Sequence, residues 1–104
     1  MDRKTLLERV KKCVLKVEPN AEIVLYGSRS CGESNAYSDW DFLILVDGEL
    51  DPNRIDTVRH RIYEVEWDSD EVLSSIVRTR DYWKNPKYQA MPFYKNVTEY
   101  GIHI

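Results

Sequence analysis

Two carboxylates, Asp39 and Asp41, stand at the entrance of the apolar run Phe42-Leu43-Ile44-Leu45-Val46, and a Gly27-Ser28 pair ends an earlier apolar run, Ile23-Val24-Leu25-Tyr26. Ten residues, mostly small or polar, lie between Ser28 and Asp39. On a strand, side chains two apart share a face, with alpha carbons roughly 6.6–7 Å apart. Asp39 and Asp41 therefore point the same way, beside the Gly-Ser turn if the two apolar runs pair. Oxygen donors so placed suit a divalent cation, and a glycine at the turn leaves the backbone open to a phosphate. Ser28 offers an amide and a hydroxyl to phosphate oxygens, and a short helix starting near Ser28 or Arg29 would add free amides. Arg29 reads either as a phosphate contact or as half of an exposed salt bridge.

Several elements must hold these residues. Residues 2–18 predict an amphipathic helix, with Leu6, Leu7, Val10, Cys13, Val14 and Val17 on one stripe, Asp2 as cap and Pro19-Asn20 as terminator. Cys13 on that stripe is a core residue. Ala21–Tyr26 is the first strand, 28–38 the loop, and Asp39–Val46 a second strand whose continuous apolar run implies burial on both faces. Trp40, between the aspartates, points to the opposite face and packs. After the turn at Asp47-Gly48, residues 53–61 form a helix with Ile55, Val58 and Ile62 inward, and His60 lies on its solvated face. The alternating Ile62-Tyr63-Glu64-Val65-Glu66-Trp67 predicts a third strand. Asp68-Ser69-Asp70 would turn it into a hairpin with Val72–Val77. Thr79 caps a short helix to Trp83, Asn85-Pro86 breaks it, and a last helix runs from Pro92 to before Gly101. Trp83, Tyr88, Phe93, Tyr94 and Tyr100 read first as closing a small core, and second as stacking on a base or meeting a partner.

Gly27-Ser28, ten residues, then Asp39-x-Asp41, each next to an apolar strand, resembles the signature of the nucleotidyltransferase superfamily related to polymerase beta. The short chain is similar to its smallest branch, the minimal nucleotidyltransferases, over about residues 5–67. The resemblance implies an α/β (α+β) fold in which helices flank a small mixed sheet, here as a single domain over 1–104. It implies transfer of a nucleoside monophosphate from a triphosphate, ATP first among them, to an acceptor hydroxyl, with two Mg2+ ions. Gly27, Ser28 and Arg29 would then seat the triphosphate, and Asp39 and Asp41 would hold the metals. Family members carry a third carboxylate, usually Asp, on the next core strand. Glu64 is the favoured candidate here and Glu66 the second, both on one face of the expected third strand. If both are only that strand's solvent face, the third ligand is missing.

Composition bounds the alternatives. A chain of 104 residues, with 42% hydrophobic and 32% charged residues, fits one ordinary globular domain. A formal net charge of -3 makes a nucleic-acid partner unexpected. Cys13 and Cys31 give no disulfide framework, and with no His or Cys near Cys31 a catalytic or metal role for it is not expected. No apolar run reaches the roughly 18 residues of a membrane span, and the N-terminus lacks a secretory signal's apolar core, so the cytoplasm is the default. The small size motivates a second function. Minimal nucleotidyltransferases often resemble antitoxins paired with small helical HEPN-type proteins, and such a partner, or a second copy in a homodimer, would supply the acceptor surface. A third reading is a nucleotide sensor that binds without turnover.

Overall fold

In the computed structural model, residues 1–31 and 39–104 are described; the remaining loop residues, 32–38, and the side chains of Ser28 and Cys31 lie outside the description, and with them the expected exposure of Cys31. Helix α1 (Arg3–Val17) starts where the Asp2 side chain accepts a hydrogen bond from the Thr5 amide at 2.8 Å, and its Leu6, Val10 and Val14 are buried at four-residue spacing. Strand β1 (Glu22–Tyr26) follows, then the four-residue helix α2 (Ser28–Cys31) and strand β2 (Trp40–Val46). Helix α3 (Pro52–Ser69) is capped by Asp51, with Pro52 at its first turn, and returns the chain to strand β3 (Leu73–Thr79). Three short helices, α4 (Arg80–Trp83), α5 (Pro86–Gln89) and α6 (Pro92–Tyr100), lead to a two-residue strand, β4 (Ile102–His103).

The sheet runs β3-β2-β1-β4. β1 pairs antiparallel with β2, β2 parallel with β3, and β1 antiparallel with β4, so the expected mixed sheet flanked by helices is what forms. Alternation along β2 divides the core. Trp40, Phe42, Ile44 and Val46 face a cluster built with Leu6, Val10 and Val14 of α1 and Val58, Ile62 and Val65 of α3. Leu43 and Leu45 face a second cluster with Val24, Trp83 and Val97, against which Tyr26, Ile76, Tyr88, Phe93 and Tyr94 pack. β2 is thus covered on both sides, as its unbroken apolar run requires. Cys13 is partly buried against the first cluster and His60 is exposed, as read from their positions. Four of the five C-terminal aromatics close the second cluster, whereas Tyr100 is exposed.

Ile62–Trp67 is not a strand. It forms the second half of α3, because Ile55, Val58, Ile62 and Val65 recur every three or four residues and bury one helical stripe. The alternation in Tyr63-Glu64-Val65-Glu66 is a short coincidence inside that longer period. Asp70, at φ 58, ends the helix in a left-handed turn, and β3 then lies parallel to β2 in place of the expected hairpin. Two other elements, α5 and β4, were not anticipated.

One ion pair ties the two long helices. Arg54 Nε and Nη2 each donate at 2.7 Å to a carboxylate oxygen of Glu18, joining the end of α1 to the start of α3. Both side chains are partly shielded, so Arg54→Ala is expected to lower unfolding stability by about 1 kcal/mol, read by urea denaturation. An unchanged midpoint would show that the pair contributes nothing.

Candidate functional site

β1 ends at Tyr26, which pairs across the sheet with Asp41, so the turn after β1 lies beside the start of β2. Gly27 adopts φ +77, a left-handed conformation open to glycine. A Cβ built there would lie 2.5 Å from Asp41 Oδ2. The Asp41 carboxylate therefore rests against bare backbone, a cradle that any side chain at position 27 would fill. The turn is held by Ser30, whose amide and hydroxyl both donate to the Gly27 carbonyl, at 3.1 and 2.7 Å. Ser28 opens α2; its expected hydroxyl contact falls outside the described side chains.

Asp41 is half-buried and Asp39 is exposed at the mouth of the strand. Burial raises the Asp41 carboxyl above the ordinary aspartate range, and the neighbouring Asp39 charge raises it further. Tyr26, on the same face, has its phenol pushed up to about 12 by burial first and by Asp41 second, with Arg78 acting in the opposite sense. Its ring meets Phe93 edge-on at 5.3 Å. Tyr26 thus stays a neutral hydroxyl beside a carboxylate pair whose charges repel, the situation a hard divalent cation relieves. The donors here are oxygens only, which fits Mg2+ better than a softer metal.

A pH dependence follows. The proton is held more tightly by Asp41 in the folded chain than in the unfolded one, so ionising it opposes folding. As pH rises from about 4 to 7, the metal-free protein should lose stability relative to Asp41→Asn, and Mg2+ should restore it. Thermal melts of both proteins across that range, with and without Mg2+, check this. Parallel pH profiles would show that Asp41 carries no such strain.

The other expected site residues are not gathered here. Arg29 lies on the opposite side of β2, its guanidinium 4.5 Å over the Trp40 ring and 3.7 Å from Glu71 Oε2. Trp40 Nε1 donates to the same Glu71 oxygen at 3.3 Å, and Arg3 donates to the Arg29 carbonyl at 2.7 Å. The geometry contains the ion pair, one of the two readings of Arg29. Glu64 sits on the exposed face of α3, 3.5 Å from Arg61. Glu66 Oε2 accepts from the Leu73 amide at 2.8 Å and so caps the start of β3. The strand expected to present these glutamates beside Asp41 is a helix packed on the other face. The neighbouring strand is β3, which carries no carboxylate and sets Ser74 next to Asp41. Among the described residues, no group of three or more His, Cys, Asp or Glu forms a metal-holding cluster. Tyr26 and Ser74 are neighbours that sequence reasoning missed; only the β1–β2–β3 register reveals them.

A left-handed Gly-Ser turn against an aspartate pair, on a mixed sheet with helices on both faces, defines a nucleotidyltransferase-like α/β protein. The family described as nucleotidyltransferase domain matches residues 7–101, and the chain belongs to it. Nothing among curated proteins matches the sequence. Among solved structures, the chain is similar to one described as the crystal structure of the toxin-antitoxin with AMP-PNP. That similarity has a TM-score of 0.65 at 18% identity and covers 92% of this chain and 69% of the other. At that identity the likeness concerns the fold. No helix among the described residues is long and apolar enough to cross a membrane.

Proposed function

We propose that this chain binds a nucleoside triphosphate with Mg2+ at the Gly27–Asp41 corner and transfers the nucleoside monophosphate to an acceptor hydroxyl. The observation that carries this reading is the Asp41 carboxylate lying against the Cβ-less, left-handed backbone of Gly27. Such a corner admits a phosphate to the backbone beside a metal-binding oxygen. Asp39 and Asp41 are assigned to the cation, and Gly27 and Ser28 to the triphosphate. Arg29, anchored over Trp40, is assigned to holding the loop's start. Mg2+, when bound, supplies the positive charge that offsets charge on phosphoryl oxygens. Asp39 and Asp41 orient it, and Tyr26 walls the site with a neutral hydroxyl and excludes water on the Phe93 side. In the transfer, the acceptor oxygen bonds to the α-phosphorus, the bond to the bridging oxygen breaks and pyrophosphate leaves. The hydroxyl proton passes to water. The AMP-PNP in the similar structure makes ATP the first nucleotide to test.

A second reading has its own support. The similar structure is described as a toxin-antitoxin, and α3 carries Trp67, 87% exposed, one turn from the exposed Tyr63. An antitoxin that docks a small helical HEPN-type partner, in the cytoplasm, could use the same corner to modify a hydroxyl of that partner; a homodimer is the simpler form of the same idea. Mg·ATP titration by calorimetry, with pyrophosphate release followed in parallel, tests the first reading. Metal-dependent binding with turnover supports a transferase. Binding alone favours a sensor or an antitoxin awaiting its partner, and no binding rejects the nucleotide site. Purification from the native cell tests the second reading, which fails if the protein always emerges without a helical partner.

A further inference from the structure

One rung of the sheet sets Tyr26 of β1, Asp41 of β2 and Ser74 of β3 side by side. Neighbouring strands lie roughly 4.7–4.9 Å apart, and residues in register on parallel strands project to the same face. Packing identifies that face. Leu73 and Val77 of β3 enter the cluster under α1 and α3, while Ile76 packs with Leu43 and Leu45 on the other side. Ser74 alternates with Leu73 and is in phase with Ile76, so it shares the face of Asp41 at about one strand spacing. It is half-buried, and β3 is the edge strand of the sheet.

We infer that Ser74 is a metal-site residue that sets the number of ions the corner holds. The inference rests on the reading of Asp39 and Asp41 as cation ligands. A serine hydroxyl is a neutral oxygen donor, sufficient to complete the shell of one ion already held by carboxylates and phosphate. A second divalent ion a few ångströms away needs further negative charge; this strand supplies none, and among the described residues no third acidic group joins Asp39 and Asp41. The wild-type corner therefore takes one ion with its nucleotide. An aspartate at position 74 would stand on the Asp41 rung and complete a two-ion site.

The test is Mn2+ titration in the presence of ATP, counting bound ions by electron paramagnetic resonance of free Mn2+. The proteins are wild type, Ser74→Asp, Ser74→Asn and Ser74→Ala, each checked for folding by circular dichroism. Wild type should bind one Mn2+, and S74D two, with overall Mn2+ affinity about tenfold higher. S74D should also gain more thermal stability from Mn2+ than wild type, because three carboxylates repel without it. S74N should keep one ion, and S74A should bind Mn2+ a few-fold more weakly. Two ions on wild type, a folded S74D that matches wild type, or an S74A of unchanged affinity would each overturn the inference. Asp41→Asn separates the levels. If it abolishes Mn2+ binding while S74D changes nothing, the corner stands and the role of Ser74 falls. If Asp41→Asn binds Mn2+ as wild type does, the underlying reading falls as well.

Discussion

Asp41→Asn is expected to lower the affinity for Mg·ATP by at least about 100-fold and to eliminate pyrophosphate release, while leaving the fold intact. The substitution keeps size and shape, so the contact with Gly27 and the pairing with Tyr26 remain. What disappears is the negative charge. A neutral amide oxygen is a poor ligand for a hard cation compared with a carboxylate, and loss of one charged interaction in a half-buried site is worth a few kcal/mol. The sign of the stability change makes the result diagnostic. Burial and Asp39 both raise the Asp41 carboxyl, so at neutral pH the ionised group opposes folding in the metal-free protein. Removing its charge should raise the melting temperature while binding is lost. A residue kept for packing would show the reverse, with stability falling and binding following it. Calorimetry of Mg·ATP binding beside a thermal melt reads both, and full binding by the variant would remove Asp41 from the site.

The sequence made this corner legible for physical reasons that did not extend to its neighbours. Gly27 and Asp41 each adjoin an apolar run, and pairing of two runs so near in sequence is enough to bring the Gly-Ser turn beside the aspartates, although their register is not encoded there. β3 reaches β2 only after the α3 crossover, and which of its residues stands beside Asp41 depends on a register that no local pattern encodes. That is why Glu64 was expected beside Asp41 and Ser74 was not. Six alternating residues, Ile62 to Trp67, matched a strand within a narrow window, but the stripe from Ile55 to Val65 needs nearly three turns to show itself. Arg29 was legible only as a pair of alternatives. Its position in the loop could not say on which side of β2 its long side chain would settle, and a stack on Trp40 with an ion pair to Glu71 is a tertiary choice. Four of the five C-terminal aromatics are core, because large rings in a chain this small have few other places to go, whereas Tyr100, near the end of α6, stays exposed.

Gly27→Ala is the second large effect expected, and it acts through Asp41 without touching its charge. Position 27 holds φ +77, where an alanine is strained by roughly 1–2 kcal/mol, and its Cβ would lie 2.5 Å from Asp41 Oδ2. Something must shift. The flexible partner is the Asp41 side chain, so the carboxylate should rotate away and the backbone should remain near its place. Unfolding stability should fall by about 1–3 kcal/mol and Mg·ATP affinity by about 10- to 100-fold, the scale seen when the shell that orients a metal ligand is disturbed. A double-mutant cycle separates the two losses. In an Asp41→Asn background the side chain still occupies the same space, so Gly27→Ala should still cost stability. It should cost no further affinity, because the ligand it displaces is already gone. Equal affinity losses in both backgrounds would mean that the glycine serves the triphosphate directly through its backbone. No affinity loss in the wild-type background would mean that the 27–41 contact belongs to the turn and not to the site.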